Sequence, residues 1–441
     1  MNIRGRAADV LRGSAIAALT AALAAALAAC AGGSGSPEAH EWRASYDTIG
    51  DTLIVRTESG SVWGDTATLV ADLTIGQFEG PDEYMFGRVR SLAVASDGSI
   101  YAYDEHAKEL RKYTADGTYV ATFGRQGGGP GEYEEPDGGL AILPDGRIVL
   151  RDPANARFSV FSPEGEYLDG WRIRGGLHTS RRLYKDTAGN VYTLLLLNLE
   201  GAIEDWTTGL VRYGPDGAPG DTIEPPEYAY ETPEIRASDE EGDHLMSSWV
   251  PFTPKDSWAF SPLGYFVAGV STSYAIDLHI APDRVLRIAR ADWQRVPVKP
   301  GEKAEHERIE TAGMRRLDPG WRWNGPPIPD TKPPYEHFFV GEDGRIWVRL
   351  YQEAHKIETA EDYVGEDEPG RIPEPTWIES VAFDVFEPDG RYLGMVRAPD
   401  GLATYPTPVA RGDTLWAVVE DELDVPYIVR FIIDHAAGGS S

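Results

Sequence analysis

An all-β fold built from four-stranded antiparallel sheets is what this sequence predicts, and three observations predict it. Short runs alternating apolar and polar residues are separated by Asp-Gly turns, the local mark of hairpins. The pattern then returns: Asp97-Gly98 and Asp145-Gly146 stand 48 residues apart, as do Asp116-Gly117 and Glu164-Gly165. Finally, 12 Trp and 21 Tyr in 441 residues suit sheets better than helices.

The units follow in order. In the first, "SLAVA", "SIYAYD", "ELRKYT" and "TYVATF" read as four strands up to Phe123. The second spans Gly139 to Ile173, where Val160-Phe161 matches Lys112-Tyr113. A third turns at Ala188-Gly189 and Asp216-Gly217, its middle lengthened by "NLEGAIEDWTT". A looser fourth contains "SWAFSPLGYFVAGVS" and "AIDLHIAPDRVLRIAR". The fifth turns at Asp343-Gly344 and Asp389-Gly390, and the last joins "TPVARGDTLWAVVED" to "YIVRFIID". One such sheet leaves two apolar faces bare, and stacking sheets in a closed ring buries both. The expected architecture is therefore a six-bladed β-propeller of four-stranded blades over 46–436. "DTLIVRTES" near the start is expected to lend a strand to the last blade.

These residues resemble the NHL-repeat proteins and the wider TolB-like group of six-bladed propellers. The likeness is clearest from Ser91 to Ile173, including Phe123-Gly124 and the run Gly128 to Tyr133, and extends less fully over Tyr335 to Asp434. It implies that Asp104 and Asp152, at matched positions, accept hydrogen bonds from turns. The run Gly127-Gly128-Gly129 lacks the Gly-Lys-Ser/Thr ending of a phosphate loop and reads as a connection between blades. Some members of the group are lactonases or lyases with metal-bound carboxylates or histidines around the channel, and none of their site residues is carried over to this chain.

The N-terminus reads as an export signal: Arg4, Arg6 and Arg12 precede an apolar run from Ala15 to Ala29. Leu27-Ala28-Ala29-Cys30 resembles a bacterial lipobox, which implies cleavage after residue 29 and lipidation, palmitate included, at Cys30. Residues 30–45 are then a lipidated tether, with the bilayer as a partner. The resemblance places the protein in the cell envelope, on the outer membrane in a two-membrane organism, since Ala31 is not Asp. Cys30 is the only cysteine, so no internal disulfide forms. Removing residues 1–29, which hold three of the 41 basic and one of the 71 acidic residues, leaves a formal charge of −32. That surface repels nucleic acid, which is excluded as a partner.

Three inserts break the rhythm, at about 225–257, 299–335 and 353–377. The second contains "EKAEHERIETAGMRR", a helix of about four turns. Arg315, Arg316, Trp321, Arg322 and Trp323 follow in an otherwise acidic chain, a set able to hold a carboxylate or a sugar. The alternative is that Arg315 and Arg316 pair with nearby acids while the tryptophans cover the propeller end. Asp239, Glu241, Asp243 and His244 form an acidic group that is a candidate for a divalent cation such as Ca²⁺, although EF-hand spacing is absent. No cofactor is otherwise indicated. No nucleophile elbow or zinc-protease motif occurs. The expected function is a membrane-anchored lipoprotein binding a peptide, glycan or envelope protein through loops at one channel end. The alternatives are a metal-dependent hydrolase or lyase and a structural subunit of an envelope complex.

Overall fold

Nine glycines at matching turns carry the architecture: 98, 117, 146, 165, 189, 217, 264, 344 and 390, all with φ between +75° and +93°. In each turn the glycine N–H donates to the carbonyl three residues back, as from Gly117 to Thr114 and from Gly165 to Ser162. Only glycine enters this region without strain, so each turn closes a tight hairpin. The looser fourth unit keeps the geometry with Gly264 bonded to Ser261. A register shift also recurs just before the third-to-fourth strand turn, at Tyr113, Phe161, Tyr213 and Phe386. Each of these aromatic rings is buried. The bulge turns the ring inward while the glycine reverses the chain.

The computed structural model describes residues 41–64, 66–176, 182–199, 206–357 and 372–435. The signal segment, Cys30 and most of the tether lie outside the described residues, as do 358–371 of the third insert. Among the described residues no helix is long and apolar enough to cross a membrane.

The strands form successive antiparallel meanders. The first comprises Val89–Val94, Ile100–Asp104, Glu109–Tyr113 and Tyr119–Phe123. The second covers 140–172 and the third 183–223. The fourth, 256–290, carries two added strands, Thr52–Ser59 and Arg43–Ile49. The fifth covers 337–397. The last, 409–434, takes Ala67–Ile75 as its outer strand, antiparallel to Pro426–Asp434.

The core shows that these sheets close on themselves. Tyr101, Phe123, Leu140 and Phe161 join first to second, and Phe158, Trp171, Val191 and Tyr213 join second to third. One large cluster runs from Tyr192 through Phe260 and Ile276 to Phe338 and Phe386, linking third, fourth and fifth. Phe339, Phe383, Leu415 and Phe431 continue to the last. Ile75, Val94, Tyr113, Trp416 and Ile428 return from the last to the first. The molecule is a β-propeller, almost entirely β, because every sheet finds a neighbour for both faces.

One sequence expectation is corrected. "DTLIVRTES" does not close the ring: Thr52–Ser59 runs parallel to Arg284–Arg290 on the fourth meander. Ala67–Ile75 closes it instead, and Gly117 of the first meander packs on Leu73 and Ile75 of that strand. A strand can seal the ring only where its apolar side meets the next sheet. Leu69 and Ile75 meet that need, with Ala67 buried beside them.

Candidate functional site

Each meander begins at the axis, so the first strands run side by side and their starts gather at one mouth. The link from second to third strand returns to that same mouth. The first two inserts precede the inner strands Asp256–Phe260 and His337–Val340, and the third lies between Ile346–Arg349 and Ala382–Phe386. All three therefore emerge around one opening.

There they pack together. The first insert forms a hairpin, Glu234–Ser238 with Leu245–Trp249. The second forms helix α1, Pro300–Arg315, in the place expected. Pro300 fits its first turn, and Glu302 accepts from the Lys299 N–H at 3.1 Å. Ile235, Phe252, Met314, Trp321 and Ile328 form the shared core. Glu305 ties the helix to the third insert by accepting from the N–H groups of Thr376 and Trp377, each at 2.9 Å, and from the Thr376 hydroxyl. Lys332 is buried between Glu302 at 2.6 Å and Glu379 at 2.9 Å, with the Gln352 carbonyl as a third acceptor. Burial pushes the Glu379 pKa up against the opposing pull of Lys332.

This packing revises the candidate sites. Trp321 is only 4% exposed, and its indole N–H donates to the Arg236 carbonyl at 2.8 Å, so its ring is core. Trp323 meets it edge-on at 6.2 Å and donates to Pro326. Arg315 donates to the Trp321 carbonyl, while Arg316 and Arg322 are exposed. The tryptophan pair thus packs within the core that the inserts share. The acidic group is a hairpin tip. Asp239 pairs with the His244 ring at 2.6 Å, which lowers the Asp239 pKa, while Glu241 and Asp243 point to solvent-exposed positions. Among the described residues no three His, Cys, Asp or Glu side chains stand together as a metal's ligand set. A cation at Asp239, Glu241, Asp243 and His244 does not fit.

Asp104 and Asp152 do what the repeat implies. Asp104 accepts from the N–H groups of Gly87, Arg88 and His106, and Asp152 from those of Glu134 and Glu135. The glycine run is a connection between sheets. Arg157 holds it through the carbonyls of Gly128, Gly129 and Glu132.

The cavity lies on the axis. About 150 Å³ of space is lined by all the inner strands, from Arg90, Leu140, Arg182, Phe260, Val340 and Ala410 onward. Its far end is crossed by a charged girdle. Lys185 bonds Glu342 at 2.7 Å and the Ile142 carbonyl at 3.2 Å; Arg411 bonds Glu342 and the carbonyls of Val94 and Ala95. Only the fourth meander is outside this network. At the insert end stand Arg90, Arg182, Tyr184 and Tyr405. Arg90 pairs with Glu105 at 2.7 Å, which raises its pKa, and lies 5.8 Å from the Tyr405 ring. These channel residues were missed from sequence. Their only signal was a charge at the edge of a short strand, meaningless until the innermost strand is known.

No family model matches the sequence, and no curated protein matches it either. Solved structures resemble it at low scores. An exported protein from Bacteroides fragilis gives a TM-score of 0.45 at 11% identity, covering 87% of this chain and 99% of its own. A DUF4221 member from Bacteroides vulgatus gives 0.43 at 10%, covering 84% and 98%. A gluconolactonase from Xanthomonas campestris gives 0.38 at 12%, covering 83% and 90%. At these values the activities of those proteins carry nothing to this chain.

Proposed function

We propose that this is a lipid-anchored envelope protein whose NHL-like, six-bladed propeller binds a peptide, glycan or partner at the insert mouth. The observation that carries the reading is the gathering of three inserts around one end of an axial cavity whose other end is crossed by the Lys185–Glu342–Arg411 girdle. Concave sites of this kind, apolar with a few placed polar groups, are where ligands bind. The metal-dependent hydrolase reading lacks a ligand set among the described residues.

Melting curves of the wild type against peptides, glycans and small organic molecules test this. A ligand from that panel should raise the melting temperature, and a tryptophan replacing Thr407, which lines the cavity beside Tyr405, should remove the rise by filling that space (Thr407→Trp). A rise that survives Thr407→Trp contradicts the mouth as the site. Cys30→Ser should move the protein to the soluble fraction; an unchanged membrane pool contradicts the anchor.

A further inference from the structure

Among the described residues, the hairpin of the first insert has one edge closed and one open. Bonds from the Asp239 N–H to the His244 carbonyl and from the Val250 N–H to the Pro233 carbonyl set its phase. The peptide groups of Leu245, Ser247 and Trp249 therefore point away from Glu234–Ser238, as those of Arg236 point away on the other side. At the Arg236 edge Asn324 stands in for a missing strand. Its side-chain oxygen accepts from the Arg236 N–H at 3.2 Å, and its amide donates to the Arg236 carbonyl at 2.7 Å. Among the described residues no group does the same for Leu245, Ser247 or Trp249. Their side chains are uncharged and open, Leu245 at 81% exposure and Trp249 at 53%. Charge, proline or a bulge commonly blunts such an edge, and Leu245–Trp249 has none of them.

We infer that this edge pairs with the same edge of a second copy of the chain, antiparallel and two-fold about Ser247. In that register Ser247 meets its own copy and Leu245 lies across from Trp249. Each residue so paired has its backbone groups pointing outward, so each pair exchanges both of its bonds. Apolar side chains then face apolar ones across the new pair. A two-fold contact must be complementary to itself, and the charges here are. The Lys255 ammonium lies 4.7 Å over the Trp249 ring, and among the described residues it has no carboxylate partner. Antiparallel pairing carries the hairpin tip of one copy, with Glu241 and Asp243 exposed, toward Lys255 of the other. Parallel pairing would set tip against tip and carboxylate against carboxylate. The open backbone alone would accept any extended segment. The match of Leu245 to Trp249 and of tip to Lys255 is what selects a second copy. The surface uses none of the residues that line the axial cavity, so it stands apart from whatever the mouth binds.

Sedimentation equilibrium of the full chain in density-matched detergent, with micelles in excess, reads the association directly. The wild type should form a dimer with a dissociation constant of about 100 µM or tighter, as suits a contact of a few residues from each copy. Ser247→Pro removes an outward N–H and spares the hairpin's own bonds, so it should weaken the dimer about ten-fold or more. Lys255→Glu sets carboxylate against carboxylate and should weaken it about ten-fold. In a Cys30→Ser background, Ser247→Cys should oxidise to a covalent dimer, because equivalent positions meet on the axis within disulfide reach. Ser238→Cys, on the neighbouring strand, should stay monomeric under the same oxidation. A wild type that remains monomeric at about ten times the stated concentration would overturn the inference. So would a dimer indifferent to both Ser247→Pro and Lys255→Glu, or cross-linking no better at 247 than at 238.

Discussion

At the scale of single residues, the fold depends on a few buried charges whose partners come from distant sequence. Asp384 accepts from Tyr274 at 2.5 Å, Tyr392 at 2.6 Å and Arg290 at 2.6 Å, joining the fourth and fifth meanders. Burial and the neighbouring carboxylate drive both tyrosine pKa values well up, so both hydroxyls stay protonated donors. Asp384→Ala removes the shared acceptor of two buried tyrosines and leaves Arg290 with Asp292 as its remaining counter-charge, and should cost about 2–4 kcal/mol in chemical unfolding; a loss below about 1 kcal/mol would show the network to be slack. His306, against the Phe252 ring at 4.7 Å, has its pKa lowered mainly by burial despite Glu302, Glu305 and Glu310. The folded state therefore binds its proton less readily than the unfolded chain. Its contribution is intact above the ordinary histidine pKa of about 6.5 and is lost as pH falls below it. Melting temperature should drop across that window, and His306→Gln should flatten the drop. None of these partnerships was legible beforehand, because a side chain's partner on another sheet leaves no local trace in sequence.

At the scale of elements, the hairpins were the most legible part. Asp-Gly turns and the 48-residue repeat of positions such as Tyr113 and Phe161 state a strand-turn-strand unit, while the bulge at those rings shows only in the structure. Helix α1 was legible too, through "EKAEHERIETAGMRR", although its start at Pro300 was not. What escaped was which apolar strand goes where. Thr52–Ser59 and Ala67–Ile75 both alternate, and only their tertiary neighbours distinguish an added strand from the closing one. Trp321 likewise suited either a ligand site or a covering role until the inserts packed. The inserts behave as one element, with Lys332 at its centre. Lys332→Ala should speed amide exchange in α1 and in residues 372–379 by about ten-fold or more, since it leaves buried Glu302 without its counter-charge. Exchange in the meander strands 140–172 should stay unchanged; uniform acceleration everywhere would mean that the cap and ring unfold as one.

At the scale of the whole molecule, everything about the mouth follows from closure. A ring aligns the inner strands, and alignment gathers 225–257, 299–335 and the described ends of the third insert, 353–357 and 372–377, at one opening and the Lys185–Glu342–Arg411 girdle at the other. The sequence repeat implied a ring, but not the strand that seals it or the charged girdle across it. The seal can be examined directly, because Cys30 is the only natural cysteine. Val70 and Ile432 face one another across the closing pair and are 48% and 39% exposed. Cross-strand neighbours lie about 4.5–5.5 Å apart at Cα, within disulfide reach. In a Cys30→Ser background, V70C with I432C should oxidise to an intramolecular disulfide, read as a mobility shift reversed by reductant, whereas L53C with I432C should not. Cross-linking of Leu53 rather than Val70 to position 432 would contradict closure by Ala67–Ile75.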